Sequence, residues 1–291
     1  MRMMIFGAGY SGKAIGALAA AKGHPVAGTT RSLEKKETLA ALGIEPFQFG
    51  GVSLSEELIE RMRTVTHLVQ SIAPGASGDP LIPLLGEDIL RTRLPLLEWV
   101  GYLSTVGVYG DHGGAWVDEK TPCRPASQRS VERLHAENAW QSLAAANDLP
   151  LTILRLSGIY GPGRNPFVNL TRGNARRLVK KDQVFNRIRV EDIAAAAMFL
   201  AEKRTAGIFN VTDNEPCPPQ DVVAEAARLM GIEPPPEQDF ETAELTPMAR
   251  SFYGENKRVS NATITSLGFR FQYPDYRVSL AELWASGRWN K

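Results

Sequence analysis

Short apolar runs alternate with helix-length stretches over the first two thirds of the chain. Residues 3–6 are four consecutive apolar side chains, and residues 24–32, 44–49, 66–72, 99–104 and 151–156 read as further strands. Between them, residues 13–22, 33–42, 53–62, 81–90 and 130–147 read as helices. Gly43 ends the second of these, and Ser53 with Glu56 three residues on supplies a capping box for the third. The alanine-rich stretch 190–203 adds a helix and 207–211 a strand. Strands that alternate with helices in this way predict a parallel sheet with helices on both faces. After Thr212 the texture changes. Pro216, Pro218 and Pro219 introduce a helix over 220–230, and a Gly231-to-Pro236 stretch breaks it. The predicted architecture is α/β, a doubly wound parallel sheet with a smaller C-terminal substrate lobe. The sheet domain takes residues 1–162 plus 187–212, and the lobe 163–186 plus 213–291.

The first strand runs straight into Gly7-Ala8-Gly9-Tyr10-Ser11-Gly12, a G-x-G-x-x-G turn between a strand and a helix. Gly7 suits a tight turn, Gly9 the approach of backbone to a pyrophosphate, and Gly12 close packing of helix on strand, with Gly16 one turn further on. The helix start then presents N–H groups and a positive dipole end to phosphates. These features predict a Rossmann-type dinucleotide site holding Gly7, Gly9, Tyr10, Ser11 and Gly12, with the loop Ala73-Pro74-Gly75 facing the cofactor and Ser71 just before it. The end of the second strand selects the dinucleotide. An acid is usual there in NAD sites, to bond the ribose hydroxyls. This chain has Thr29, Thr30, Arg31 and Ser32 instead, so a guanidinium and hydroxyls are present to receive a 2′-phosphate. NADP is predicted over NAD, with Thr30, Arg31 and Ser32 at its phosphate.

At 291 residues the chain can bury a large core. Its hydrophobic content of 43% and charged content of 22% are those of a soluble globular protein. A formal net charge of +1 argues against nucleic-acid or membrane partners. No apolar run reaches membrane-spanning length. The two cysteines, Cys123 and Cys217, lie in proline-rich loops without metal-ligand spacing, which fits free thiols in a reducing compartment. The expected location is the cytoplasm, and no metal is expected.

Four further segments carry a resemblance. Residues 102–110 end in Val108-Tyr109-Gly110. Residues 155–163 read R-L-S-G-I-Y-G-P-G, and residues 187–194 read R-I-R-V-E-D-I-A. Phe209-Asn210-Val211 follows. Together with the glycine turn they resemble the extended short-chain dehydrogenase/reductase family, which contains nucleotide-sugar epimerases and dehydratases. Arg189 stands where that pattern usually has histidine. The resemblance implies a nicotinamide cofactor contacted also by Ser157, a small-molecule substrate, and a homodimer paired through the long helix at 130–147. It also implies a Tyr-x-x-x-Lys pair at the start of that helix, where lysine lowers the tyrosine pKa for proton exchange, with a Ser or Thr at the preceding strand end. Thr105 matches the hydroxyl. The tyrosine and lysine positions fall on Arg129 and Arg133, a register supported by Ala136-Glu137. Arginine stays protonated, so Arg129 is no ordinary proton shuttle. The chain resembles the atypical branch that keeps the fold and loses the pair.

Tyr109, Tyr160 and His135 are the alternative proton donors, with Tyr109 the one nearest Thr105 in sequence. The basic run Arg164, Arg172, Arg176, Arg177, Lys180, Lys181, Arg187 and Arg189, opposed by Asp182 alone, offers anion contacts together with Arg129 and Arg133. The substrate is therefore expected to be anionic. Two functions stay open at this level. One is an NADP-dependent oxidoreductase or epimerase using Thr105, Tyr109, Arg129 and Arg133. The other is a non-catalytic NADP(H)-binding sensor or regulatory protein. Residues 111–127, polar and turn-rich, are expected to form an active-site flap.

Overall fold

The computed structural model describes residues 1–246 and 250–291. In chain order its elements are β1 (Met3–Phe6), α1 (Tyr10–Ala21), β2 (Val26–Thr30), α2 (Lys35–Ala40), β3 (Ile44–Gln48), α3 (Glu56–Met62), β4 (His67–Gln70), α4 (Ile82–Leu85), α5 (Glu87–Arg93) and β5 (Trp99–Thr105). A 3-10 turn at Val106–Tyr109 leads to β6 (Trp116–Val117), α6 (Gln128–Ala146), β7 (Leu151–Leu156), β8 (Gly158–Tyr160), α7 (Pro166–Thr171), β9 (Arg177–Val179) and β10 (Arg187–Arg189). Then come α8 (Val190–Glu202), β11 (Gly207–Val211), α9 (Pro219–Met230), β12 (Glu237–Asp239), β13 (Arg258–Val259) and two last helices, Ala262–Ser266 and Tyr276–Ala285.

Two compact units share the chain. The first takes residues 1–108, 125–155 and 193–209, and the second 109–124, 156–192 and 210–291. A seven-stranded sheet of order β11-β7-β5-β4-β1-β2-β3 organises the first unit. β1 pairs in parallel with β2 (Met3 opposite Val26) and with β4 (Phe6 opposite Gln70), and β2–β3 and β4–β5 are parallel too. The order reverses between β1 and β4, the switch point where doubly wound sheets open a crevice at the strand ends. All four residues of β1 are fully buried, because a central strand is covered on both faces. The helix α1 sits close on the sheet: a Cβ on Gly16 would stand 2.6 Å from Ile44 Cδ1, and one on Gly28 2.8 Å from Ile44 Cγ2. Met62 of α3, Leu85 of α4, Leu94, Tyr102 of β5, and Trp140 and Leu143 of α6 belong to one apolar cluster with Met4 and Phe6 of β1.

Two local differences from the sequence expectation have simple causes. The third helix is capped by Ser55, whose Oγ accepts from Leu58 N–H at 3.3 Å, and not by Ser53. That later start puts Leu58 and Met62 into the core. The helix expected over 81–90 is two short ones, broken where Gly86 takes φ 44° and ψ 160°. The stretch before it is pinned by Asp79, a buried carboxylate that accepts from Gln70 Nε2 (2.8 Å), Leu81 N–H (2.8 Å) and Trp140 Nε1 (3.1 Å). Such a group stays buried only when its hydrogen bonds are made.

The second unit is built from three small parallel pairs, β8–β10, β9–β12 and β6–β13. Tyr160, Phe167, Cys217, Val222, Ala226, Tyr276, Leu280 and Leu283 make its main apolar cluster. Residues 109–124 are tied down within this unit and are no loose flap. Asp111 Oδ1 accepts from Asn256 N–H at 2.7 Å, and Lys257 Nζ donates to the Gly110 carbonyl at 2.7 Å. Glu119 accepts from Asn210 N–H at 2.8 Å and from the Thr263 hydroxyl at 2.6 Å. Among the described residues, no helix is long and apolar enough to cross a membrane, and no cluster of acid, histidine or cysteine side chains suits a metal ion.

Candidate functional site

The turn after β1 has the shape its glycines predict. Gly7 adopts φ +86°, a left-handed conformation natural only to glycine, and a Cβ there would stand 2.8 Å from Ile72 Cγ1. Its N–H donates to the buried Thr29 Oγ1 at 2.9 Å, and the next N–H, of Ala8, to the Thr29 carbonyl at 2.8 Å. A Cβ on Gly12 would sit 2.5 Å from the Gly7 carbonyl oxygen, so close helix–strand contact fixes that glycine. Gly9 differs from both. Beside it lies open space, the nearest atom to a Cβ being Gly7 O at 4.0 Å. Gly9 is also the N-cap of the twelve-residue α1, with no side-chain cap and no acid in the first turn. An uncapped helix start beside open space fits a pyrophosphate, held by backbone donors and the dipole. Tyr10 is half-buried and Ser11 buried at this start.

Ser71 lies alongside, its N–H donating to the Phe6 carbonyl at 2.9 Å, so the loop after β4 borders Gly7. At the end of β2, Thr30 Oγ1 accepts from Ser32 N–H at 3.3 Å and folds the strand end into a turn. Arg31 is exposed at the tip of that turn, and its carbonyl accepts from Gln48 Nε2 at 3.4 Å. Thr29 serves the turn from within. Thr30, Arg31 and Ser32 together form the turn that ends β2.

At the end of β5, Thr105 Oγ1 is half-buried and accepts from Gly107 N–H at 3.1 Å. Arg129, in the tyrosine position of the resembled family, is exposed in the first turn of α6. Arg133, in the lysine position, is drawn to the strand. Its Nη1 donates to the Leu103 carbonyl at 2.8 Å and to Tyr102 OH at 3.3 Å, and its guanidinium carbon lies 5.7 Å from the Tyr102 ring centre. Burial pushes the Tyr102 phenol above its ordinary range, with Arg133 pulling the other way. Deeper in the same unit, Glu137 is fully buried and holds Arg155 through two bonds, Nε to Oε1 at 3.2 Å and Nη2 to Oε2 at 2.7 Å, while the Ser104 hydroxyl donates to Oε1. This ion pair ties α6 to β7, and the Ser104 hydroxyl ties the same carboxylate to β5, one residue before Thr105. In the sequence, Glu137 stands out only through its place in the Ala136-Glu137 segment that sets the register.

In the second unit, Tyr109 is fully buried and its hydroxyl donates to Asn210 Oδ1 at 2.8 Å, so the phenol is fixed in place. Ser157 N–H donates to the Val211 carbonyl at 3.2 Å, and its Oγ reaches the same oxygen at 3.5 Å. Burial pushes the Tyr160 phenol upward against the Ser279 hydroxyl. His135, in the first unit, is exposed on α6. The basic run does not converge as one patch. Arg189 is fully buried and donates to Glu191, Glu282 and Ser279, with its guanidinium 4.2 Å from the Tyr273 ring centre. Arg177 pairs with Glu237 at 2.7 Å, Arg187 donates to the Cys217 carbonyl and thiol, Lys180 to the Tyr253 carbonyl and Arg176 to the Glu244 carbonyl. These groups hold the lobe together, and Arg172 and Lys181 stay exposed.

Comparison with known proteins fits this geometry. A solved structure of a functionally unknown conserved protein from Silicibacter pomeroyi is 46% identical, with 98% of this chain and 99% of that one aligned at a TM-score of 0.88. Protein YeeZ of Escherichia coli K12 is 27% identical over 94% of this chain and 97% of its own length. The fold is also that of the Thermus thermophilus UDP-glucose 4-epimerase solved with NAD, at 21% identity and a TM-score of 0.74 over 98% of this chain and 99% of that one. A family model described as NAD dependent epimerase/dehydratase matches residues 3–212. The chain therefore belongs to the NAD dependent epimerase/dehydratase family.

Proposed function

We propose that this protein is an NADP-dependent oxidoreductase or epimerase of its family, acting on an anionic small molecule, with nucleotide- or sugar-linked compounds as the first class to try. The observation that carries the reading is the uncapped start of α1 beside the open face of Gly9. When bound, the nicotinamide supplies or accepts a hydride. Gly7, Gly9, Tyr10, Ser11 and Gly12, with Ser71, hold the pyrophosphate side, while Thr30, Arg31 and Ser32 receive the 2′-phosphate. The Thr105 hydroxyl orients the reacting oxygen. Arg129, a permanent cation, offsets negative charge on the substrate, and Arg133 braces β5 through the Leu103 carbonyl, two residues before Thr105. Tyr109 and Ser157, both held by internal hydrogen bonds, act by fixing backbone. The reading takes residues 163–186 plus 213–291 as the substrate lobe, a homodimer through α6, and a cytoplasmic location.

Arg31→Asp tests the cofactor assignment. Tryptophan fluorescence titrations with NADPH and NADH should show the preference inverted, and an unchanged affinity ratio would remove the assignment. A second reading, a non-catalytic NADP(H) sensor, is favoured by the exposed Arg129 and by the engagement of Arg133 with β5. Transfer of deuterium from C4-labelled NADPH into metabolites of a cell extract separates the two. Labelled product supports the enzyme. Absence of transfer with cofactor demonstrably bound, joined to a large affinity gap between NADPH and NADP⁺, supports the sensor.

A further inference from the structure

With arginine in the tyrosine position, a reaction at Thr105 still needs a proton. Three hydroxyls of the first unit stand in sequence toward that place. Ser127, the exposed N-cap of α6, accepts from Ser130 N–H at 3.3 Å, and its own hydroxyl donates to Ser130 Oγ at 2.9 Å. Ser130, one residue beyond Arg129, is only 7% exposed. Its Oγ faces Gly107. A Cβ on Gly107 would stand 2.7 Å from Ser130 Oγ and 3.4 Å from Thr105 Oγ1. Both hydroxyls thus lie against the backbone of Gly107, and a side chain at position 107 would collide with the Ser130 hydroxyl. Helix capping accounts for the Ser127 oxygen that meets the Ser130 N–H. It does not account for a second hydroxyl, buried at Ser130 and 2.9 Å from Ser127 Oγ, or for the glycine opposite.

We propose that Ser127 and Ser130 form a hydroxyl relay that carries a proton between solvent and the reacting oxygen at Thr105, in place of the absent tyrosine. The inference rests on the hydride-transfer reading above. In the reducing direction, a carbonyl carbon of the substrate gains the hydride and the carbon–oxygen π pair moves onto oxygen. That oxygen takes the Ser130 proton, directly or through Thr105. Ser130 takes the proton of Ser127, and Ser127 takes one from a solvent water, which leaves hydroxide to the bulk solvent. One hydride and one proton are added, the dihydronicotinamide is oxidised, and every hydroxyl ends neutral. The oxidising direction runs the same steps backward. A hydroxyl suits this task because it donates one proton while accepting another. The charge of Arg129 lowers the cost of negative charge on the oxygen during transfer.

Neutron diffraction from deuterium-exchanged crystals of the protein with NADP⁺ reads the chain directly. The expected result is a deuteron from Ser127 Oγ toward Ser130 Oγ, and the Ser130 deuteron aimed past Gly107 toward the Thr105 hydroxyl or an oxygen bound beside it. A Ser130 deuteron donated to a backbone carbonyl of its own helix would overturn the relay. Crystals without bound NADP⁺ would count against the hydride-transfer reading, while the deuteron positions still judge the relay geometry. With a substrate found by the labelled-NADPH transfer, Ser130→Ala should lower kcat at least about tenfold with KM little changed, and the wild-type solvent isotope effect should shrink. Ser130→Thr, which keeps the hydroxyl, should recover most of the rate. An unchanged kcat in Ser130→Ala would overturn the proposal.

Discussion

Replacing Asp213 with Asn should remove a pH dependence built into the second unit. The carboxyl is 2% exposed, Oδ1 accepts from Glu215 N–H at 3.2 Å, and Oδ2 meets no donor. Burial pushes this group up to about 8, against the pull of the Glu215 N–H and of the Arg187 guanidinium, with Asp275 and Glu215 adding to the upward push. In the unfolded chain an aspartate titrates near ~3.9. Between those values the folded chain keeps a proton that the unfolded chain has released. Stability therefore falls as pH rises, by about 1.4 kcal/mol per unit. The contribution is whole below the unfolded pKa and lost once pH passes the folded one. Over the two units from about pH 6 to about pH 8 it amounts to roughly 3 kcal/mol. Asp213→Asn has no such proton to lose. Urea unfolding of both proteins at several pH values, read by the fluorescence of Trp284 and Trp289, whose rings stack 5.8 Å apart in the same unit, measures the difference. The wild type should lose stability relative to the variant through this window and level off above it. Cys217, pushed up to about 11 by burial, stays protonated throughout. Parallel curves across the window would refute the reasoning and place an ionised, well-solvated carboxylate at position 213.

Glu137→Gln leaves the Arg155 guanidinium buried without its counter-charge and should cost about 3–5 kcal/mol, seen as a lower urea midpoint; a loss under about 1 kcal/mol would contradict the ion-pair account. Gly12→Ala, with its Cβ 2.5 Å from Gly7 O, should lower Tm, whereas Gly9→Ala, facing open space, should leave Tm in place and weaken NADP⁺ binding at least about tenfold. Burial holds the His67 imidazole below its usual pKa, opposed by its hydrogen bond to the Ala201 carbonyl, so folding favours the neutral ring. Stability should fall as pH drops below the ordinary histidine value, and His67→Gln should flatten that slope in thermal melts. Ser55→Ala should cost about 1 kcal/mol by freeing the Leu58 N–H, with Ser53→Ala near zero as the control.

The alternation of strands and helices and the glycine turn made the sheet and its switch point legible, because backbone geometry writes both into short-range sequence. Gly207–Val211 has the bounds its apolar run suggests. The helix breaks were harder. Ser53 and Ser55 are equally good caps locally, and burial of Leu58 and Met62 decides between them. The fate of the basic run was not readable at all, since the partners of Arg177 and Arg189 lie about 60 and 90 residues away in sequence. Asp213 gave no signal for the same reason: a polar residue in a polar stretch carries no mark of the packing that buries it. The arginines at 129 and 133 were visible as departures, but only the structure distinguishes their surroundings, solvent for one and β5 for the other.

The two units are interleaved along the chain, each drawn from three separate stretches. On the ribosome this sets an order of events. β11 is the outer neighbour of β7, so the β7 edge of the sheet stays open until about fifty more residues have been made and β11 arrives. During that interval Leu151–Leu156, six buried residues in a row of which four are apolar, is an unpaired strand edge of the kind that recruits other chains. Slow translation between β7 and β11 should therefore favour aggregation of the nascent protein, and trigger factors or holdases that bind apolar strands would be expected to meet it there.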